Sequence, residues 1–575
     1  MSIDGNIRGS LGKSQLITGM GPGSIVDLKR GSVIISGISK WKYDLSKDIL
    51  HSTKLERLLG VKYFVQPPHK KPIRLEDGTE LQQKDILGYQ FPRWGYCPMC
   101  HKLGEVTDFN VLSNGKWICN CEKKAPIIPS RFVVACENGH ISDFPYRKWV
   151  HERTGDFNCK QELKITETGD SAGLESILIK CGCGAKRNLE GIFNSEKFRH
   201  QCNGAKPWLG KKVRDDNCDK EVKVLQRSSS AVYYPITVSS IEVPQWNERL
   251  DEEIQKIKPL MNEDNKEIFA LAISKNLEIP LEDVLDEINK TIGWNGTIED
   301  EYRALRREFN TKKFNSRIEK VPSFLGKYIN KIVLVTKMTE IIAQLGFKRI
   351  EANVDINDEK TYTSFKKEGV DWLPAVENRG EGIFIEFKEE ELTKWETSEI
   401  VQKRYKEIMQ REEEGILRSL RKAITPRTIL LHTIAHGLIK ELTFECGYSS
   451  SSIKERIYTT FDEGMDMSGI LLYTTSSDSD GSLGGLVSQG KTEKLEQIFR
   501  RMIDNLSWCS TDPLCIESEL HGYKNANYAA CHACTLLPET SCELRNILLD
   551  RASIRGTLED LEIGFFKEFY KGEEI

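Results

Sequence analysis

The stretch CPMCHKLGEVTDFNVLSNGKWICNC, residues 97–121, carries two cysteine pairs, Cys97 with Cys100 and Cys119 with Cys121. Two pairs on tight turns, joined by a short hairpin, bring four thiolates around one Zn²⁺ in the manner of a zinc ribbon. The first spacer has the usual two residues and the second has one. Four protein ligands leave no coordination position for a substrate, so this pattern predicts a structural site. The chain holds 16 cysteines, and its start, MSIDGNIRGSLGK, has no apolar core of a secretory signal. Reducing cytosol keeps thiols free, so grouped cysteines in such a chain point to metal rather than disulfides.

Two further groups follow. Cys181, Cys183, Cys202 and Cys218 are expected to form a second all-cysteine site, with Cys159 as the substitute ligand. Cys509, Cys515, Cys531 and Cys534 form the third, leaving Cys542 either spare or replacing one of them, and His532 as a further donor. Two or three structural zinc ions are therefore expected. Cys446, inside LTFECGYSS, reads as a buried free thiol. Cys136, His140 and Asp143 have the residue types of a nucleophilic set, but neighbours in sequence seldom form one. A structural turn or an extra ligand pair is the simpler reading.

The 575 residues, 39% hydrophobic and 29% charged, suit several globular domains. No uncharged apolar stretch approaches the roughly 20 residues that span a bilayer, and a cytoplasmic location with no membrane contact is expected. The net charge of −4 is unevenly spread: residues 1–75 carry 13 Lys and Arg against 5 Asp and Glu, whereas residues 261–310 carry 6 against 12. Lys29, Arg30, Lys40, Lys42, Lys70 and Lys71 are the candidates for phosphate contact. Trp94 and Tyr96 could stack on unpaired bases but read first as core.

The pattern predicts a mixed α+β, multidomain chain. Residues 1–95 form a β-rich N-terminal region, and 96–230 a zinc-ribbon-like Cys-rich region with two zinc sites. Residues 231–420 form a largely helical middle domain, with the apolar spacing of NKEIFALAISKNL and LEDVLDEINKTI, and a strand at GIFIEF. Residues 421–575 form an α/β C-terminal domain with the third zinc site, built on the helix TILLHTIAHGLIKEL and the strand GILLYTT.

Catalytic signals are weak. The glycine block TGMGPGSIVDLKRGSVIISG, residues 18–37, lacks the Lys-Ser or Lys-Thr of a P-loop. As a dinucleotide fingerprint its third glycine is misplaced and a strand follows where a helix is needed. It reads as a tight turn requiring positive φ. His432 and His436 share a helix face, but Thr433 stands where a zincin has its glutamate, so packing histidines are favoured over a catalytic metal. The loop SSDSDGSLGGL carries Asp478 and Asp480, which repel phosphate, and reads as a surface or partner-contacting loop.

In order along the chain, SQLITGMGPGSIVDL, FVVACENGHISDFPYRKWVH, QRSSSAVYYPITVSSIEVP, LPAVENRGEGIFIEF, LLHTIAHGLIKELTFECGYSSSSIKERIY, DGSLGGLVSQG and WCSTDPLC…ACHACTLLPETSCELRNILLDR resemble the DrmB family of the bacterial DISARM anti-phage defence system. The last part resembles a domain that some DNA-repair proteins carry fused to a helicase. The resemblance implies a subunit that accompanies a helicase-like, DrmA-like ATPase in engaging foreign DNA, with zinc at Cys509, Cys515, Cys531 and Cys534. The expected function is thus a non-catalytic, zinc-binding accessory subunit. The alternatives are a metal-dependent nuclease or hydrolase acting on DNA, and a pure assembly scaffold.

Overall fold

The computed structural model describes residues 9–29, 31–69, 73–74, 80–81, 86–112, 115–167, 173–243, 248–257, 260–262, 265–277, 281, 284–285, 288, 298–311, 313–351, 356, 358–410, 424–459, 466–476 and 484–570. Two compact units emerge. One comprises Met1–His51, Leu59–Val238 and Ile342–Val376; the other comprises Ser52–Leu58, Ser239–Ile341 and Glu377–Ile575. Helices and several sheets give a mixed α+β chain with a β-rich N-terminal part.

The first unit is built mostly from short antiparallel strands. Ile25–Leu28 pairs with Gly31–Ile35, and Gly88–Gln90 adds a third strand. A six-stranded sheet runs in the order Ile128–Pro129, Trp94–Tyr96, Lys102–Glu105, Leu163–Glu167, Ile177–Cys181, Lys186–Asn188. A separate three-stranded sheet places Phe132–Ala135 between Ile141–Asp143 and Lys223–Gln226. Strands of two to five residues bury little, and aromatic side chains fill the space between them. Phe132, Phe144, Tyr146, Trp149 and Phe198 form one cluster, with Phe144 stacked on Phe198 at 5.5 Å.

The glycine block is a packed turn. Gly23 has φ +89°, and a Cβ there would stand 2.5 Å from the Phe347 ring. Its carbonyl accepts from Arg349 Nη2 at 2.8 Å, while Arg349 Nε donates to Gly139 O at 2.9 Å and Nη1 to Val232 O. Arg349 is fully buried over the Phe347 ring, 4.6 Å from its centroid, and desolvation lowers its pKa to about 9. One guanidinium thus ties three loops of this unit together through their carbonyls, where water would otherwise be needed.

The second unit has a conventional core. Its central helix, Pro426–Cys446, opens with proline at its first position and with the Thr425 hydroxyl accepting the Thr428 N–H at 3.1 Å. Gly447 at φ +66° ends it. Apolar residues run all round this helix, which is how a helix buried on every side reads. Ile429, Leu430, Ile434, Leu438 and Leu442 are fully buried. Helix Thr492–Asn505 crosses it at Gly437, where a Cβ would meet Met502 Cγ at 2.7 Å. The strands beneath include Lys454–Thr459 and Ser468–Ser476, the latter containing GILLYTT.

Helices Glu248–Ile257, Lys266–Leu277 and Ile298–Leu305 occupy the middle of the chain. The same span supplies the two longest strands, Ile329–Lys348 and Trp372–Phe387. Residues 329–345, expected to continue the helices, are extended instead. The β-branched run IVLVT and burial on both strand faces favour that form. Residues 77–78, Asp478, Asp480, residues 411–423 and most of LEDVLDEINKTI lie outside the described residues. Among the described residues no helix is long and apolar enough to cross a membrane.

Gly23→Ala combines a strained φ with a clash against Phe347, and overpacking alone costs about 1–3 kcal/mol. Arg349→Met is expected to cost at least as much, since orphaned buried carbonyls cost roughly 1–3 kcal/mol each. Urea unfolding of the zinc-loaded chain checks both; an unchanged midpoint for either refutes the anchoring role.

Candidate metal centres

The Cys97–Cys100 turn joins strand Trp94–Tyr96 to Lys102–Glu105, with His101 at φ +64° completing the reversal. Cys119 and Cys121 come from the end of strand Trp117–Ile118. The structure brings all four together: Cys97 Sγ lies 3.9 Å from Cys121 Sγ, and Cys100 Sγ lies 3.5 Å from Cys119 Sγ. Main-chain N–H groups of Met99 and Cys100 point at Cys97 Sγ at 3.4 and 3.5 Å. A Zn–S bond of about 2.3 Å puts tetrahedral sulfur vertices roughly 3.8 Å apart. The thiols are set at that spacing.

The expected set of Cys181, Cys183, Cys202 and Cys218 is divided between two groups. Cys181 and Cys183 flank the turn between Ile177–Cys181 and Lys186–Asn188, in the six-stranded sheet. Cys202 and Cys218 lie instead beside the Cys136–His140 turn of the three-stranded sheet, because Cys136 Sγ is 3.9 Å from Cys218 Sγ and His140 Nδ1 is 3.6 Å from Cys202 Sγ. Gly139, at φ +80°, allows Cys136 and His140 to face the same point, with Nδ1 3.5 Å from Cys136 Sγ. On the far side of the ring, Asp215 Oδ2 lies 3.6 Å from His140 Nε2, the placement by which a carboxylate orients a metal-binding imidazole.

Cys181 and Cys183 are completed by Cys159 and by His151. Cys159 Sγ is 3.6 Å from Cys181 Sγ, and His151 Nε2 is 3.4 Å from Cys183 Sγ. His151 Nδ1 donates to Arg147 O at 2.8 Å, which leaves Nε2 as the free donor atom for a metal. The Ala185 N–H, and then the His151 ring, lower the exposed Cys183 thiol to about 7. The sequence signals for this division are the Cys136-x-x-x-His140 spacing and a histidine eight residues before Cys159, neither of which the cysteine pattern alone brings out.

Cys509, Cys515, Cys531 and Cys534 come together as one set. The Cys509–Cys531, Cys515–Cys534 and Cys531–Cys534 sulfur separations are 3.4, 3.6 and 3.6 Å. Hydrogen bonding from Cys515 lowers Cys534 to about 4 and raises Cys515 in turn. Asp512 accepts from the Cys509 N–H at 2.7 Å and from buried Arg551 at 2.6 Å, fixing the loop. His532 is exposed and outside the set.

Among the described residues, four thiol-rich sets thus stand where two or three were expected. Each offers four donors of the zinc-preferring kind, sulfur and imidazole nitrogen, and no vacant position. Cys446 stands apart, half-buried, its thiol raised to about 11 by burial. Cys542 neither stays spare nor replaces a member of the third set; it lies against His432. Asp143 accepts from the N–H groups of Arg93 and Trp94 at 2.7 and 3.1 Å, so its carboxylate serves the backbone rather than Cys136 or His140. Lys29, Lys40 and Lys42 are exposed; Arg30, Lys70 and Lys71 lie outside the described residues. Trp94 is core, and Tyr96 packs half-buried against the same cluster.

Cys136→Ser and Cys159→Ser are each expected to remove about one zinc equivalent, and Cys446→Ser none, by elemental analysis of the purified chain. Metal-held thiolates keep their pKa below the ordinary value, so their stabilisation holds at neutral pH and is lost as pH falls. Zinc release monitored with a colorimetric chelator should therefore rise on acidification.

Residues 434–535 match the MrfA Zn-binding domain, which spans the whole Cys509–Cys534 set. Residues 12–234 match a domain of unknown function, DUF8724. A solved DUF1998 helicase, MrfA, bound to DNA is 12% identical at a TM-score of 0.19; the match covers 37% of this chain and 23% of that one. The donor sets and the zinc-binding domain make zinc the cofactor of this chain. The DISARM protein DrmB of Bacillus paralicheniformis is 32% identical over 584 residues, 94% of this chain and 100% of the relative. Similarity sustained over nearly the whole chain and the full length of the relative places the chain in the DrmB family of DISARM defence proteins.

Proposed function

We propose that this chain is a non-catalytic, zinc-stabilised subunit of a cytoplasmic DISARM-type defence complex, which binds a helicase-like ATPase of the DrmA kind and helps it engage foreign DNA. The observation that carries this reading is the full-length similarity to DrmB. The donor sets support it, because each is closed by four protein side chains and offers no position for a substrate or an attacking water. A nuclease built on His432 and His436 is disfavoured by their complete burial, which keeps a phosphodiester away.

DNA contact falls to exposed lysines of the first unit, with Lys29, Lys40 and Lys42 as the described candidates. Such contacts act by releasing counterions, so binding weakens steeply with salt. Affinity purification of the tagged chain from cells carrying its neighbouring genes should recover a stoichiometric helicase-like ATPase. A chain that elutes alone overturns the subunit reading. Replacing the three lysines by glutamate in that complex should weaken DNA binding and lower the log–log salt slope by about one for each phosphate no longer neutralised. An unaltered slope, with the partner still bound, favours a scaffold without DNA contact.

A further inference from the structure

One group of metal-binding side chains lies outside the four thiol-rich sets. His432 and His436, one turn apart on helix Pro426–Cys446, meet Glu455 of strand Lys454–Thr459 and Cys542 of the closing segment, with one donor atom of each within 4.8 Å of the others. Both imidazoles are fully buried, Glu455 is 3% exposed and Cys542 6%. All four belong to the second unit.

The hydrogen bonding determines what the rings present. His432 Nδ1 faces Leu548 O at 3.2 Å and His436 Nδ1 faces Thr535 O at 2.8 Å. A carbonyl only accepts, so each Nδ1 carries a proton and each neutral ring turns a lone pair inward from Nε2. Those lone pairs face a carboxylate: Glu455 Oε1 lies 3.0 Å from His432 Nε2 and 3.3 Å from His436 Nε2. His432 Nε2 is also 3.2 Å from Cys542 Sγ. His436 Nε2 and Glu455 Oε2 are buried without a hydrogen-bond partner. Acceptors directed at one another in a dry core repel, and each unsatisfied group costs roughly 1–3 kcal/mol.

Protonating both rings would bury two cations against one carboxylate. A divalent cation meets every requirement at once: two imidazole nitrogens, one carboxylate and one thiolate give four donors, and the site becomes electroneutral. Bonds of about 2.0–2.3 Å from a tetrahedral zinc put neighbouring N, O and S atoms roughly 3.3–3.6 Å apart, within a few tenths of an ångström of the separations here. Main-chain donors support the anionic ligands, the Asn546 N–H on Cys542 Sγ at 3.1 Å and the Glu543 N–H on Glu455 Oε1 at 3.2 Å. The Nδ1 contacts with carbonyls are the orientation that metal-bound histidines receive from their surroundings.

We propose that His432, His436, Glu455 and Cys542 form a fifth zinc site, closed and structural, that fastens the 535–550 segment to the central helix and its neighbouring strand. The site is separate in residues from the Cys509–Cys534 set and independent of any DNA or helicase contact. With four protein ligands it holds no reactive water.

Crystals of the full chain, purified without chelator, would be measured on both sides of the zinc absorption edge, with zinc per chain counted by elemental analysis. The expected result is anomalous density between His432, His436, Glu455 and Cys542, in addition to the four thiol-rich sets, and a total near five equivalents. Density at the four sets with none here overturns the proposal in favour of a proton-sharing network. His436→Ala should lose about one equivalent, as structural zinc requires its full ligand set. A folded His436→Ala chain with the parent metal content also overturns it. Because the map of the parent protein decides by itself, a variant that fails to fold does not stall the test.

Discussion

Thiol sulfurs held 3.4–3.9 Å apart are the constraint around which the first unit and the closing part of the second are arranged. Thiolates at that separation repel one another, and thiols gain little from it. Only a cation among them turns the arrangement into a net stabilisation. The consequence is large where secondary structure is scarce. Structural zinc contributes an apparent ~10–16 kcal/mol in small peptides, as much as the whole stability of a typical domain. A cysteine variant that abolishes defence therefore reports on folding before it reports on chemistry.

The two units solve the problem of cohesion differently. In the first, most strands run only two to five residues and bury little continuous apolar face, and zinc sets, an aromatic cluster and the buried Arg349 connect the loops. In the second, an apolar helix is surrounded by strands and a crossing helix, and the core is dense without help. The polar quartet of His432, His436, Glu455 and Cys542 is one of the polar groups buried within that unit. Its donors converge as a metal site's do, in a place where hydrophobic packing alone would have sufficed.

Membership of the DrmB family and the closed nature of the donor sets point the same way. Every described thiol-rich set spends all four of its ligands on the protein itself. In the function proposed above, chemistry on DNA falls to a partner, while this chain supplies a zinc-braced body and exposed lysines.

Local spacing determined what the sequence could declare alone. The Cys97/Cys100 and Cys119/Cys121 pairs, the Cys531/Cys534 turn, the central helix TILLHTIAHGLIKEL and the failure of the glycine block as a nucleotide cradle are properties of residues within a few positions of each other. Tertiary structure alone decided how distant pairs combine. Cys181 and Cys183 could join Cys202 and Cys218 or find His151 and Cys159, and chain spacing permits both. The fold separates them, since Cys181 ends a strand of the six-stranded sheet while Cys202 and Cys218 are loop residues beside the Cys136–His140 turn of the three-stranded one. The same holds for Cys542, which sequence leaves spare and the fold carries across 110 residues to His432. Glu455 gives no local sign of its role, because a carboxylate becomes a ligand only when burial takes away its water and packing aims two imidazoles at it.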